Sequence, residues 1–588
     1  MFVHGRPRCQ NQPDPAGDID NDVPLPTLEV NHVSPTALSA LVPLAFTPST
    51  TAVGGNVFLS AVVGLLPLIV FFVLMGVFKV KTHWCSLIAL VLSVLIAAAA
   101  FHMPVGMSLL SATQGATMGL MPIVYIIVAA VWLYNLTETS GRAEDLKSVF
   151  DLIGKGDQRA QALIIAWCFS GLLEGLAGFG APVAITCAML LSLGMPKVKA
   201  AVTAMVANGI NVGFGAMAIP TTTAGRLGGE DPVAVAAVMG RMTAIIAVLV
   251  PLVVLFIIDG MRGVKQLWPL ALVGGAAMAV GHFVVSQVSY ELTAVSAALL
   301  SLVACTLFLA VWTPRTPEDA RTSVNETDRP DAGRISLALL PYVLVVVIIA
   351  TTKLVAPLSA FLSSTDVKIP WPGIYGNLLT PTGEPASSAV YTLQVLSNPG
   401  TWIFVTGLVV AVVYGLVSSG GRFPTSVPQM LMVLPRTIYN LRLSILTIVL
   451  VMSLAYVMNF SGQTTAVGAA LASTGAAFAF ISPTLGWLGT AVAGSATSAG
   501  ALFANLQATA AAGAHLDPQV LLAANTAGGG LGKLVSPQNL AVATSALDAP
   551  GKDAEILKKV APYSIGLLLL LCTITFLASS GVLSFYMP

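Results

Sequence analysis

The sequence is poor in charged residues. Only 9% of its 588 residues are Asp, Glu, Lys or Arg, whereas a soluble domain carries roughly 25%. Hydrophobic residues make up 56% of the chain and the mean hydropathy is +0.86. A chain of this composition would aggregate in water but is stable in lipid, so the composition excludes a soluble globular protein.

Features of nucleic-acid binding, metal binding and catalysis are also lacking. The net charge of +1 provides no basic field for nucleic acid. His, Cys and Asp residues form no cluster that would serve an enzyme, and no cysteine pair has CxxC spacing, so we expect no disulfide, metal site or cofactor. Five of the six cysteines lie in or beside apolar runs; the six are Cys9, Cys85, Cys168, Cys187, Cys305 and Cys572.

Long apolar runs recur along the chain instead. A helix needs about 20 apolar residues to cross a bilayer, and roughly 12–14 stretches satisfy this criterion. Segments 57–78 and 267–285 are two of them. The sequence therefore predicts an all-α integral membrane protein.

Polar segments divide the chain into domains. Residues 1–55 are rich in Pro, Asp and Asn, contain no signal-peptide pattern, and are predicted to be a disordered tail. Segment 313–335 mixes both charge signs with prolines and is predicted to be a solvated linker between two membrane halves, 56–312 and 336–588. Lys and Arg crowd the loops near residues 79–81, 142–159, 315–334 and 422–442, which places these loops in the cytoplasm and segment 356–400 outside.

The two halves carry a repeated motif. Residues 208–220 read NGINVGFGAMAIP and residues 525–537 read NTAGGGLGKLVSP, so both fit N-x4-G-x-G-x4-P. A glycine-rich or serine-rich break in an apolar run lies upstream of each motif, and the full repeats span 171–222 and 493–544. A repeat with interrupted helices predicts a binding site near the middle of the membrane, since unpaired backbone groups survive there only around a protein-enclosed or watery cavity.

The first break contains Gly178 and Gly180, which permit a tight turn, and the second contains Ser495, Thr497 and Ser498, which can cap a new helix. Helix N-termini that face each other would hold a small carboxylate. The alternative is that the glycines are GxxxG-type packing faces.

Two ionisable residues stand alone in these apolar regions. Glu174 is the only charged residue between Arg159 and Lys197, and Lys533 is the only one between Asp517 and Asp548. A charge at mid-membrane costs at least about 2.5–3.5 kcal/mol, so we predict that Glu174 carries a proton and that Lys533 meets the substrate carboxylate or pairs with Glu174. The alternative for each is a side chain that snorkels to the membrane interface. Further amide donors for the substrate are predicted at Asn208, Asn505, Asn525 and Gln538, although interhelical hydrogen bonds explain any one of them equally well.

The motifs EGLAGFGAPVAI at 174–185, ALFANLQATAA at 501–511 and AANTAGGGLGKLVSPQNLAVA at 523–543 closely resemble the L-lactate permease family, and the resemblance extends from about residue 57 to 588. It implies import of L-lactate, and of D-lactate and glycolate, by proton symport across a bacterial inner membrane. It also implies re-entrant hairpins at the two motifs and, by analogy with a wider group of ion-coupled carboxylate transporters, a homodimer in contact with lipid.

The chain departs from the family pattern in its long N-terminal tail and in the second break. Where the family usually has G-S-D-T-S-S-N, this chain has Ala496 in place of the acidic residue and Gly500 in place of the amide. A sodium-coupled carrier of another small carboxylate therefore stays open as an alternative. A channel, which would conduct only downhill, and a membrane-embedded enzyme explain the repeated breaks less well.

Overall fold

A computed structural model describes residues 45–142, 145, 154–176, 178, 180–321, 331–380, 382–549, 551–583 and 586. The chain is mostly helical in these residues. Residues 1–44 of the predicted tail, with Cys9, and residues 322–330 of the predicted linker lie outside the described residues.

The helices of the first half are α1 Val57–Gly76, α2 Thr82–Ala99, α3 Val105–Met118, α4 Tyr125–Thr139, α5 Gln158–Ile164, α6 Ser170–Leu176, α7 Ala181–Ser192, α8 Lys197–Asn208, α9 Gly215–Gly228, α10 Pro232–Val285 and α11 Thr293–Val311. Short π or 3₁₀ segments continue three of these helices into the next: Gly119–Val124, Ile165–Phe169 and Gly209–Phe214. Two further 3₁₀ turns follow in this part of the chain, Tyr290–Leu292 and Glu318–Ala320.

The second half begins with helix α12, four residues earlier than its predicted boundary at 336. Its elements are α12 Ala332–Leu354, α13 Ala356–Ser364, β1 Val367–Pro370, the 3₁₀ turn Ser387–Ala389, β2 Val390–Leu393, α14 Pro399–Leu416, α15 Val427–Leu431, α16 Val433–Ser461, α17 Gln463–Ala472, α18 Ala477–Ala493, α19 Ala496–Gly513, α20 Pro518–Lys533, α21 Pro537–Ala546 and α22 Asp553–Ser579.

Several helices begin at the same local signal, a capping side chain followed by proline. The Asp231 side chain accepts a hydrogen bond at the start of α10, Asp517 does so for α20, and Ser536 does so for α21. The cap satisfies an N–H group that the helix leaves unpaired, and a proline at the first helical position has no N–H to satisfy.

Ten helical stretches of the described chain are long and apolar enough to cross a membrane. One of them, α10, consists of two helices that meet at a turn where Asp259 and Gly260 leave helical geometry. The two pack side by side, since a Cβ atom added to Gly275 would lie 2.9 Å from the carbonyl oxygen of Ala247. Helix α10 therefore supplies two membrane-length helices, 232–258 and 261–285. The apolar helices α7 and α18 are too short to count as spans by length alone. Large apolar side chains such as Phe78, Leu416 and Val311 are 68–87% exposed on the outside, as lipid contact requires.

A short-armed helical hairpin forms the first break. Helices α5 and α6 lead in, the chain turns at Gly178 and Gly180, whose φ angles are +56° and +89°, and α7 leads out. The next helix, α8, is interrupted in turn: after 3₁₀ segment Gly209–Phe214, residues Ala216, Met217 and Ala218 are left-handed, and α9 then continues. The predicted break and the predicted N-x4-G-x-G-x4-P motif thus form a hairpin followed by an interrupted helix.

The second break has the same order of elements. Helix α18 ends at Gly494, which has a φ of +73°, Ser495 caps α19, and the two helices form a hairpin. Helix α20 then ends at Lys533, and α21 restarts at Pro537.

Each hairpin packs against the helix that follows the interruption in the other repeat. Helix α9, which follows the first interruption, packs against α19 of the second hairpin, while α21, which follows the second interruption, packs against α7 of the first. At the crossing of the interrupted helices, a Cβ atom added to Gly530 would lie 2.6 Å from the carbonyl oxygen of Gly209, so glycine is needed for the close approach. This arrangement brings both interruptions to one region of the protein.

Some glycines do form packing faces, as the alternative interpretation proposed. A Cβ atom on Gly175 would lie 2.6 Å from Val295 Cγ2 of α11, and one on Gly171 would lie 3.4 Å from Ala298 Cβ of the same helix. Helix packing and the two breaks therefore use different glycines of the same motifs.

Residues 366–397 form an irregular segment between α13 and α14. Strands β1 and β2 pair in antiparallel fashion, with Val367 opposite Leu393. Within the predicted tail, Phe46 is buried and its backbone hydrogen-bonds to Asn377 and Leu379 of this segment. The predicted tail is therefore packed against the folded chain at Phe46.

Candidate functional site

The two breaks surround a small cavity. Its volume is about 50 Å³, enough for about three to five waters at 10–15 Å³ each. We call it the central cavity; its lining residues are Glu174, Gly178, Val212, Gly215, Ala216, Pro220, Gly494, Ser495, Ala496, Thr497, Lys533 and Gln538. Both halves of the chain contribute to it. Its size fits a ligand of a few non-hydrogen atoms and is far below the 300–1,000 Å³ of pockets for drug-sized ligands.

An ion pair forms one wall of this cavity. Lys533 Nζ donates a hydrogen bond to Glu174 Oε1 at 2.8 Å, and the two side chains are only 8% and 2% exposed. The pair joins the first repeat to the second. Neither residue snorkels to the surface, and pairing is the second of the two roles predicted for Lys533.

Asn208 holds the other oxygen of the same carboxylate. Its Nδ2 donates to Glu174 Oε2 at 2.8 Å, and its Oδ1 accepts a hydrogen bond from Ser170 at 3.2 Å. Ser170 thereby fixes which end of the amide faces Glu174. A Cβ atom on Gly215 would lie 2.7 Å from Glu174 Oε1, so only glycine leaves room for the carboxylate there.

The start of helix α19 also lines the cavity. The Ser495 side chain accepts a hydrogen bond from the Ser498 N–H, which satisfies one of the unpaired groups of the first turn. Ala496 and Thr497 lie in that turn and line the cavity. The positive end of the helix dipole therefore adds to the charge of Lys533 on an anion in this space.

The structure brings seven predicted site residues together: six line the central cavity and Asn208 bonds to its wall. These are Glu174, Gly178, Asn208, Ser495, Thr497, Lys533 and Gln538. Two lie one layer behind: Gly180 packs against Val542, and the Ser498 hydroxyl bonds to Ser495.

Asn505 and Asn525 do not line the central cavity. Asn525 Oδ1 accepts a hydrogen bond from Gln507 at 3.2 Å, whereas Asn505 Nδ2 donates to Thr464 at 2.7 Å. Both contacts are of the interhelical kind that the alternative interpretation proposed. Asn505 lines a different and larger cavity.

Some lining residues were not singled out from the sequence. Val212, Gly215, Ala216 and Pro220 come from the first motif, and Gly494 from the second break. Gly215 and Pro220 are fixed positions of N-x4-G-x-G-x4-P, so the repeat itself carried the signal for these two.

The positions of the second break at which this chain differs from the family pattern lie at or near the central cavity. Ala496, which replaces the usual acidic residue, is part of the lining. Gly500 lies one turn further along α19, where a Cβ atom would be 3.5 Å from the carbonyl oxygen of Pro220. A side chain larger than alanine at position 500 would therefore press against the interrupted helix.

A second cavity adjoins the central one. It has a volume of about 290 Å³ and is lined by Lys81, His83 and part of α16, and it shares Ser495 and Gln538 with the central cavity. Through these two residues the central cavity adjoins a space lined by Lys81, whose loop is predicted from its charges to be cytoplasmic.

All cysteines except Cys9 lie in the described residues. They are buried and form no disulfide there. Among the described residues, no group of three or more His, Cys, Asp or Glu is placed to hold a metal ion.

Comparison with known proteins agrees with the resemblance seen in the motifs. The profile of the family described as "L-lactate permease" matches residues 60–581. The chain belongs to the L-lactate permease family. Together with the ten candidate spans, this membership identifies a multi-pass membrane protein.

Curated relatives in this family include permeases with two names. "Glycolate permease GlcA" of Escherichia coli (strain K12) is 38% identical over 537 residues, which cover 87% of this chain and 94% of the relative. "L-lactate permease" of Bacillus subtilis (strain 168) is 36% identical over 566 residues, which cover 91% and 98%.

Two solved structures show more distant likeness. MtrF of Neisseria gonorrhoeae, titled as one of a class of antimetabolite efflux pumps, aligns with 79% of this chain and 82% of its own at a TM-score of 0.41 and 13% identity. The YdaH transporter of Alcanivorax borkumensis aligns with 81% and 88%, at a TM-score of 0.41 and 16% identity.

Proposed function

We propose that the protein imports L-lactate, and also D-lactate and glycolate, across the bacterial plasma membrane by proton symport. The names of its relatives support the substrate class. The observation that carries the coupling is the buried Glu174–Lys533 pair at the wall of the central cavity. No cofactor is needed beyond the coupling proton.

Charge balance explains how this pair would couple the two substrates. In the ion-paired state Glu174 neutralises Lys533, so a lactate anion entering alone would leave the site with a net charge of −1. A proton entering alone would leave a net charge of +1. Either charge is costly inside a membrane, by about 2.5–3.5 kcal/mol or more.

Loading both together leaves the site neutral. The proton on Glu174 ends the competition for Lys533, whose ammonium then pairs with the lactate carboxylate. The start of α19 and the Gln538 side chain face the same space and would bind the remaining oxygens. The empty site and the fully loaded site are thus the two neutral states. Only these two states would move the site readily from one side of the membrane to the other.

Uptake of labelled L-lactate into proteoliposomes tests the proposal. We expect accumulation with an inward proton gradient, none with a sodium gradient at equal pH, and no effect of a potassium–valinomycin diffusion potential, because one proton and one anion cross together. Accumulation driven by sodium alone would contradict the coupling and favour the sodium-coupled alternative. Equilibration without accumulation under every gradient would indicate a channel.

A further inference from the structure

A much larger cavity lies apart from the central one. It has a volume of about 530 Å³, roughly ten times that of the central cavity, and the two share no described lining residue. We call it the Arg226 cavity; the polar residues that matter below are Arg226, Gln394, Tyr456, Asn459 and Asn505. Its other wall is the segment near 378–394, which the loop charges place outside.

Arg226 has an unusual set of partners for a partly buried arginine. Within the described chain, its guanidinium donates to the amide oxygen of Gln394 and lies 3.9 Å from the sulfur of Met118. Neither partner carries a negative charge. A guanidinium binds a carboxylate through two parallel hydrogen bonds, about twice as strong as bonds to neutral acceptors.

Gln394 is itself held in place by an acid. Its Nε2 donates to Asp366 Oδ2 at 3.1 Å, and Asp366 also accepts a hydrogen bond from Ser397. This orientation turns the neutral amide oxygen, rather than the carboxylate of Asp366, toward Arg226. The positive charge of Arg226 is therefore left for a ligand that can displace an amide.

The rest of the cavity offers hydroxyl and amide groups for a small ligand. The Tyr456 hydroxyl makes no hydrogen bond within the described residues, although the side chain is only 6% exposed. Asn505 uses its Nδ2 on Thr464, which leaves its amide oxygen as an acceptor. A 2-hydroxy carboxylate has the matching groups, a carboxylate for Arg226 and a hydroxyl for Tyr456 or Asn505.

Packed helices separate this cavity from the central one. Helices α9 and α19 touch between them, where Gly500 approaches Pro220 and Ala224. Pro220 lines the central cavity and Arg226 lines the larger one, about 9 Å further along α9 at 1.5 Å per residue. A ligand at Arg226 would therefore occupy a site distinct from the one at Lys533.

We propose that the Arg226 cavity is a second binding site for a small carboxylate, walled on one side by the 366–397 segment. The ligand class rests on the proposed function, whereas the site rests on the partners of Arg226. A substrate anion displaces Gln394 there, before or after it occupies the central cavity.

Equilibrium dialysis of the purified protein against labelled L-lactate, at millimolar concentration and mildly acidic pH, tests the proposal. We expect two molecules bound per chain in the unmodified protein, one in R226Q and one in K533Q. In R226Q the affinity of the lost site should fall about tenfold or more, as expected when a hydrogen bond to a charged group is removed. R436Q, which removes an exposed arginine outside the lining of these cavities, should still bind two.

The remaining site in R226Q shows that the variant is folded. Two molecules bound by R226Q, or only one by the unmodified protein, would overturn the second site. If K533Q bound as many molecules as the unmodified protein while R226Q lost one, the Arg226 site would stand and the central site of the proposed function would fail.

Discussion

Lys533 Nζ lies 2.8 Å from Glu174 Oε1, across 359 positions of the chain and between the two repeats. Such a pair is costly to bury, and its removal from one side leaves a charge without a partner. The contact therefore bears on both the stability of the fold and the coupling of transport.

Breaking the pair should destabilise the fold. K533M leaves the Glu174 carboxylate buried without its cation, and we expect a loss of about 3–5 kcal/mol in the free energy of unfolding. The double variant E174Q/K533M should recover much of this loss. Thermal unfolding in detergent measures both, with K552M as a control, since Lys552 is 56% exposed and its pair with Glu555 is screened by solvent. Equal stability of K533M and the unmodified protein would contradict a buried pair.

E174Q should uncouple transport from the proton. Glutamine mimics the protonated carboxyl and cannot release a proton, so pH-driven accumulation should be lost while exchange of internal for external lactate continues. Proteoliposome uptake and counterflow distinguish the two activities. E318Q, which changes an exposed acidic residue of the 3₁₀ turn Glu318–Ala320, should accumulate lactate normally. Accumulation by E174Q would show that another group carries the proton.

G215A should strongly reduce transport through a steric clash alone. The added methyl would lie 2.7 Å from Glu174 Oε1 and push the carboxylate away from Lys533, although the backbone at Gly215 has a φ of −66° that alanine adopts freely. The matched control is G566A, since a Cβ atom there has nothing within 4 Å. Initial rates of lactate uptake should therefore fall steeply in G215A and stay unchanged in G566A. Normal uptake by G215A would mean that the position of Glu174 is unimportant.

The central cavity should exclude dicarboxylates. It is small, and Lys533 is the only cationic side chain among its described lining residues, so a second carboxylate would be buried without a partner. Glycolate should compete with labelled lactate, and succinate should not. A496V adds two methyl groups to the wall and should reduce lactate uptake more than glycolate uptake, because glycolate is one methyl group smaller. Equal inhibition by succinate would rule out this cavity as the selective site.

Two arginines on the same aspartate should differ in importance. Arg159 and Arg262 both bind Asp259 at the turn within α10, but their side chains are 4% and 46% exposed. R159Q removes a buried charge that also binds Asp157, and should cost about 3–5 kcal/mol of stability. R262Q removes a more exposed side chain, whose pairs with Asp259 and Asp319 are screened by solvent, and should leave the stability nearly unchanged. Denaturation of the two variants in parallel is the measurement, and similar losses would contradict the role of burial.

The interruptions and the ion pair could be predicted because their signals are local. Gly178, Gly180 and Ser495 are turn and cap residues inside apolar runs, and Glu174 and Lys533 stand out because charge is expensive there. The number of spans was harder to predict, since apolar length does not separate a full span from a hairpin arm such as α7 or α18.

The direction of individual side chains could not be predicted. Asn505 follows Thr497 by eight residues, about 12 Å along α19, which carries it beyond the central cavity to the Arg226 cavity. Asn525 occupies the position of Asn208 in the repeat, yet it bonds to Gln507 instead of an acid. The left-handed turn at Ala216, Met217 and Ala218 has no sequence signal, because alanine and methionine usually avoid that conformation.

The separation of Glu174 and Lys533 along the chain also determines when the pair can form during biosynthesis. Glu174 is made 359 residues ahead of Lys533, so the lysine follows roughly 20–70 s later at about 5–20 residues per second. During that interval the carboxyl group is already in a membrane-inserting segment and has no cation. The buried ion pair cannot form until the second half arrives. The central cavity is therefore completed only near the end of translation.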